Sequence, residues 1–187
     1  KWILKYLKGT FKLCLCFDNG KIMLDGYIDV DMPCDFDNRK STSRYMMIFA
    51  GGAASWQSKL QKCIALFSTE AKYIETTKVC KETLWLQKFF QELGMKQEKY
   101  NLYCDSQSAI HLCKNSIFYS RSKHIDVRYH CIRKVLNSKL LILEKVHTND
   151  NGADMLTKAL SKEKLLFCRQ EAGLLEPPNE LEGEIVG

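Results

Sequence analysis

Four carboxylates stand where a reactive site is easiest to build. Asp29 lies toward the end of the alternating run GYIDVD, and Glu70 lies in the first turn of a long helical stretch. Asp105 ends the short apolar run YNLYC, and Asp154 begins a last helical stretch. In open α/β folds, sites gather where strands end and helices begin. Acids converging there, with no cysteine or histidine set beside them, suit hard, oxygen-seeking cations such as Mg²⁺. Taken singly, Glu70 and Asp154 also satisfy the ordinary preference for acids at helix N-termini. Asp31 shares a strand face with Asp29 and is the alternative first acid, with Asp35 and Asp37 nearby. Glu75 falls on another face of its helix from Glu70 and reads as solvated. His147, in the loop before Asp154, reads as a surface histidine, and Trp56 and Trp85 read as core.

The densest basic run is Arg121, Lys123, His124, Arg128, His130, Arg133 and Lys134. A solvated helix face is the ordinary fate of such a run. Phosphate contacts are the functional alternative.

The elements that must position these groups follow from pattern. KWILKYLKGT reads as a short basic amphipathic helix ended by Gly9, followed by a strand through FKLCLCF and a turn at Asp18-Asn19-Gly20. LDGYIDVD, SRYMMIFA and AASWQSK read as strands, the last two joined at Gly51-Gly52. From Ser68, with Ser68 or Thr69 as cap, Ala71, Ile74, Val79, Leu86, Phe90 and Leu93 form an apolar stripe that Gly94 stops. The strand YNLYC, the helix SQSAIHLCK, a helix over about 123–137, the strand LLILEKV and a helix starting near Ala153 complete the order. Three strands, helix, strand, helices, strand, helix describes a mixed sheet with helices on its faces.

The 187 residues allow one full domain. Net charge is +6, but the stretch from Leu175 holds four Glu and no Lys or Arg, leaving 28 basic against 18 acidic residues in the body. A polyanion would bind that body, and the end from Leu175 reads as a disordered acidic tail. Nine cysteines lie scattered, mostly among apolar neighbours, with no C-x-x-C pair. Buried reduced thiols of an intracellular protein are the expectation, rather than a disulfide framework. No apolar run is long enough to span a membrane. The chain starts at Lys1 with no signal-peptide pattern, as a segment of something longer would.

Five stretches, in order, carry a resemblance: GYIDVD, STSRYMMIFAGGAASWQSKLQKCIALFSTEAKYIE, LYCDSQSAIHLCKN, SRSKHIDVRYHCIRK and HTNDNGADMLTKAL. Together they resemble the ribonuclease H region at the C-terminal end of copia-type retrotransposon Pol polyproteins, over roughly residues 1–172. The resemblance implies a ribonuclease H-like α/β fold, a five-stranded mixed sheet flanked by helices. Residues 1–20 would end the connection from a reverse transcriptase, 21–174 would form the domain, and 175–187 the tail. It also implies Mg²⁺-dependent endonucleolytic hydrolysis of the RNA strand of RNA–DNA hybrids. Asp29, Glu70, Asp105 and Asp154 would hold two Mg²⁺ ions, with Mn²⁺ able to substitute, activating a water and stabilising the leaving oxygen. Ser106 and Gln107 would meet the minor groove, where the 2′-hydroxyl marks the RNA strand. Arg121, Lys123, His124, Arg128 and Arg133 would meet phosphates. The implied partners are the hybrid and the reverse transcriptase of the same polyprotein, with no membrane. The implied setting is the cytoplasm, in a retrotransposon particle, with the nucleus left open.

Departures from the family pattern cluster near the acids. The usual S-D-A-D-W-A-G reads Ile28-Asp29-Val30-Asp31-Met32-Pro33-Cys34 here. The Gly before the aromatic of the second strand is Arg44, and the second acid of E-A-E-Y is Lys72. A domain that binds nucleic acid without cutting it is therefore the alternative reading.

Overall fold

A computed structural model of the chain describes residues 1–17, 22–31, 40–62, 64–65, 67–114, 126–156 and 159–177, with the side chains of 126–131 outside the description. The elements are α1 (Trp2–Thr10), β1 (Cys14–Leu15), β2 (Asp25–Asp31), β3 (Thr42–Phe49), β4 (Gly52–Leu60), α2 (Ser68–Glu92), β5 (Tyr100–Cys104), α3 (Gln107–Lys114), α4 (Asp126–Asn137), β6 (Leu141–Lys145), α5 (Lys162–Glu171) and β7 (Leu174–Leu175). Two 3₁₀ turns, Thr148–Asp150 and Gly152–Leu156, lie between β6 and α5.

The main sheet has five strands in the order β4-β3-β2-β5-β6. β2, β3 and β4 form an antiparallel meander, and β5 and β6 add parallel to β2. This is the mixed sheet expected from the order of elements. Its two faces are covered differently. Ile28, Tyr45, Met47, Leu102 and Leu143 meet Tyr73, Val79, Leu86 and Phe90 of α2 in the larger core. On the other face Met46 and Ala53 pack with Ala172, Met155 and Leu156. Coverage on both sides explains why neighbouring residues of β2, Ile28 and Asp29, are both buried.

Several local expectations shift. Ala50 (φ 49°) and Gly51 (φ 80°) form the two-residue turn between the paired residues Phe49 and Gly52, one position earlier than Gly51-Gly52 suggests. The N-cap of α2 is Phe67, with no side-chain cap bond, so neither Ser68 nor Thr69 caps it. The strand through FKLCLCF shortens to β1, which pairs antiparallel with β7. Leu175, the expected start of the tail, thereby belongs to a strand; the residues from 178 onward lie outside those described. The final helix begins at Lys162, capped by Ser161, rather than near Ala153. Buried Asn151 accounts for this: its Nδ2 donates to the Ile28 carbonyl (3.0 Å) and its Oδ1 accepts from Ala153 N–H (3.1 Å). Those bonds hold a local turn where a helix would otherwise propagate.

Trp56 and Trp85, expected in the core, are 58% and 59% exposed. Trp56 lies on the edge strand β4, and Trp85 stacks on Phe89 along the outer side of α2. Glu75 moves the other way. It is 1% exposed and meets Lys78 Nζ at 3.3 Å.

The described cysteines at 14, 16, 80, 104, 113 and 168 are free thiols, as expected. Burial pushes the Cys104, Cys113 and Cys168 thiols and the Tyr27, Tyr45, Tyr100 and Tyr103 phenols above their ordinary pKa values. Unfolded, these groups ionise near about pH 8.5 and 10, before they do so in the fold. A raised folded-state pKa gives stability that is complete below the unfolded value and is lost as pH climbs through the folded one. Thermal melts under reducing conditions are therefore expected to show a falling Tm above about pH 8.5, with Cys113→Ala flattening the decline. A Tm constant to about pH 10.5 would contradict this burial.

Candidate active site

The site starts from strand register. Tyr27 pairs with Tyr103 and Ile28 with Cys104 across the parallel strands β2 and β5, and the two tyrosine rings stack at 5.3 Å. Side chains alternate with period two, so Asp29 and Asp105 follow side by side on the tyrosine face, at the C-terminal edge of the strands. Asn151 fastens the second 3₁₀ turn to the Ile28 carbonyl, directly before Asp29, and buries Asp154 to 5% exposure three residues on. The charges of both Asp29 and Asp154 reach the same guanidinium, that of Arg44. Glu70, half-buried in the first turn of α2, precedes Ala71, which packs against Val30 next to Asp29. Residues 125 positions apart in sequence thus come to one end of the sheet.

The acids there are met by cations of the chain itself. Arg44 lies directly opposite Asp29 in the β2–β3 ladder and is fully buried. Its Nη1 stands 2.5 Å from Asp29 Oδ2, and its Nη2 pairs with Asp31. Asp29 and Asp31, alternatives in the sequence, are therefore held by one guanidinium. Burial lowers the Arg44 pKa, and the charges of Asp29 and Asp154 oppose that shift. Lys72 Nζ stands 2.5 Å from Asp105 Oδ1. Lys164 Nζ stands 3.7 Å from Asp154 Oδ2 and donates to the carbonyls of Thr148, Asn149 and Asn151.

Divalent ions do not fit this arrangement. Among the described residues no group of three or more His, Cys, Asp or Glu is placed to hold a metal ion. Asp29 Oδ2 and Asp105 Oδ1, two of the oxygens that would bind one, are turned to Arg44 and Lys72. A fixed positive charge about 4 Å from a second one costs about 4 kcal/mol at a protein-like effective dielectric, and a divalent ion roughly doubles that.

Ser106 caps α3, its Oγ accepting from Ala109 N–H (3.3 Å), and Gln107 Nε2 lies 3.1 Å from His111 Nε2. Both follow Asp105 at the same sheet end. Arg121, Lys123 and His124 lie outside the described residues, and so does the side chain of Arg128. Arg133 lines a groove with Lys114, Lys139 and Leu141. Leu141 starts β6 beside Tyr100, at the opposite end of the strands from Asp105. Arg133 is thus not brought to the carboxylates. His147 is exposed, and its Nδ1 accepts from Asn149 N–H (3.2 Å), capping the first 3₁₀ turn.

A second basic surface escapes sequence pattern. Lys59, Lys62, Lys78 and Lys81 line a groove of about 380 Å³ between the end of β4 and α2. Gln61 joins the groove to the site, donating to Ser43 Oγ (2.8 Å) beside Arg44 and to the Ala71 carbonyl (2.9 Å) beside Glu70. Lys59 lies on β4, Lys62 just beyond it and Lys78 and Lys81 on α2, and only the packing of α2 on the sheet makes them neighbours.

No family model matches the chain. It is 54% identical over 174 residues to the Pol polyprotein of transposon TNT 1-94 from Nicotiana tabacum, covering 93% of this chain and 13% of that protein. It is 36% identical over 180 residues to the Pol polyprotein of transposon RE1 from Arabidopsis thaliana, covering 95% and 12%. The chain thus spans about an eighth of the length of these curated relatives. Among solved structures it is similar to LC11 ribonuclease H1 in complex with an RNA/DNA hybrid (TM-score 0.52, 12% identity, 71% of this chain and 92% of that one). It is also similar to the N-terminal ribonuclease H domain of a Mycobacterium tuberculosis protein (TM-score 0.52, 10% identity, 81% and 99%). At such identities the structures speak to the fold alone. By sequence the chain is a homologue of a segment of plant retrotransposon Pol polyproteins, and by fold it is a ribonuclease H-like domain, consistent with the ribonuclease H domain of a copia-type Pol.

Proposed function

We propose that this chain engages an RNA–DNA hybrid at the carboxylate edge, and that hydrolysis of the RNA strand is the reaction for which the site is built. The observation that carries the reading is the placement of Asp29 and Asp105 side by side at the ends of parallel strands, with Asp154 fastened beside them. A surface holding only acids would repel the nucleic-acid backbone. The lysine groove next to the edge supplies the opposite charge, and it follows the packing of α2 toward Glu70. In this reading the groove takes backbone phosphates, while Ser106 and Gln107 face the strand presented to Asp105. The hybrid is the proposed substrate and a reverse transcriptase of the same polyprotein the proposed partner. No described helix is long and apolar enough to cross a membrane.

A second reading, binding without cutting, is favoured by Arg44, whose side chain already fills the position against Asp29. Binding assays test what the two readings share. Affinity for a labelled hybrid is expected to fall with salt. Lys59→Ala/Lys62→Ala/Lys81→Ala is expected to lower the log–log slope by about 2–3, near 0.9 for each phosphate the protein no longer neutralises. Lys78 is left in place because it offsets the buried Glu75. An unchanged slope would remove the groove from the interface. Cleavage of the RNA strand in Mg²⁺ buffer then separates the readings.

A further inference from the structure

Three features converge on Arg44 and Lys72. First, register forces Arg44 against Asp29: the two residues are directly paired in the antiparallel ladder, so their side chains share a face. Arg44 is fully buried, so its guanidinium has no solvent route away from the acid. Second, one guanidinium serves two acids, Asp29 through Nη1 and Asp31 through Nη2. Third, Lys72 repeats the arrangement on the neighbouring strand, its ammonium 2.5 Å from Asp105, with only 16% of the lysine side chain exposed. The two acids that the sheet places together are therefore each neutralised by a cation from a different element, β3 in one case and α2 in the other.

We propose that Arg44 and Lys72 are built-in counter-cations of the carboxylate cluster, so that this domain holds its acids together without divalent metal and binds such ions weakly. This inference rests on reading the edge as a ribonuclease H-type site. Its consequences are physical. Like charges held together out of bulk water, buried Asp29 and Asp154 with half-buried Asp105, need positive charge beside them, from whatever source. Here covalently attached side chains provide it, permanently and at no dependence on ion concentration. These cations offset much of the acids' charge toward a phosphate backbone, so hybrid binding does not require Mg²⁺.

The test is Mn²⁺ binding to the purified chain, followed by calorimetry and by the electron paramagnetic resonance of free Mn²⁺. The parent is expected to show no saturable binding at millimolar Mn²⁺. Arg44→Gly/Lys72→Gln is expected to gain a saturable site, with affinity raised roughly a hundredfold or more by removal of two adjacent charges. Its Tm should rise with Mn²⁺ while that of the parent does not move. Arg44→Gly empties a fully buried position, so Arg44→Gln, which keeps an amide donor against Asp29, carries the comparison if the glycine variant does not fold. Adding Asp29→Asn to the double variant is expected to abolish the gain.

Mn²⁺ binding by the parent as tight as by the double variant would overturn the counter-cation proposal and leave the site reading standing. A gain that survives Asp29→Asn would place the ion elsewhere and overturn it too. Folded variants that bind no Mn²⁺ at all would overturn the site reading, and the proposal with it.

Discussion

Asp29→Asn is expected to destabilise the domain by on the order of 3 kcal/mol, a large share of a small domain's total stability. The reason is the company it leaves behind. Asp29 is 2% exposed and Arg44 wholly buried, so their ion pair lies inside the protein. Asparagine keeps the shape but removes the charge, so a buried guanidinium must rely on Asp31, whose side chain is 36% exposed. A pair near solvent is screened, so Asp31→Asn is expected to cost about 1 kcal/mol or less. Asp29→Asn/Arg44→Gln should recover most of the loss, because removing both charges of a buried pair costs far less than removing one. Urea denaturation with a common m-value measures all four proteins. Equal losses for Asp29→Asn and Asp31→Asn would show that the buried pair does not hold β2 to β3.

The larger functional effect is expected from the cations that face the acids. Arg44→Gly/Lys72→Gln is expected to cleave the RNA strand of a hybrid roughly a thousandfold faster than the parent in Mg²⁺ buffer, since a unit charge about 4 Å away represents about 4 kcal/mol. Two things change together. The carboxylates lose their fixed counter-charges, and the space against Asp29 opens to water and to the approaching phosphate. Asp105 remains positioned by β5 and Asp154 by the Asn151 bond to Ile28, neither of which involves Arg44, while leaving buried Asp29 unpaired lowers stability as the loss of either partner of a buried pair does. Hybrid affinity is expected to fall modestly, as bare acids repel the backbone. Rates equal in parent and variant would mean that the counter-cations do not limit the chemistry.

Much of the fold is legible in the sequence because alternation and helical spacing announce elements whose faces are covered. GYIDVD, YNLYC and LLILEKV read as strands and are strands, and the stripe from Ala71 to Phe90 lies on a single helix. What is not legible depends on long-range contacts. The 3₁₀ turn at Asp154 exists because Asn151 bonds to a strand 123 residues earlier, and no local signal carries that. Glu75 reads as solvated by helix phase, yet the packing of α2 beside β4 buries it. The tryptophans are apolar enough for the core, but their positions fall on an edge strand and an outer helix face. The acids of the site can be named from type and spacing. Arg44 and Lys72 stand out as departures, but that each reaches a different one of those acids requires the register of β3 on β2 and the approach of α2 to β5.

The decisive measurement is single-turnover cleavage of a hybrid labelled on its RNA strand by the parent, by Arg44→Gly/Lys72→Gln and by the latter carrying Asp105→Asn. Asparagine at 105 matches aspartate in size, and Asp105 is not fully buried, so the fold is expected to persist. Slow or no cleavage is expected from the parent, cleavage from the double variant, and its loss by orders of magnitude on adding Asp105→Asn, with hybrid bound in all three. Cleavage unaffected by Asp105→Asn, or none by a double variant that binds both hybrid and Mn²⁺, would contradict this reading of the site.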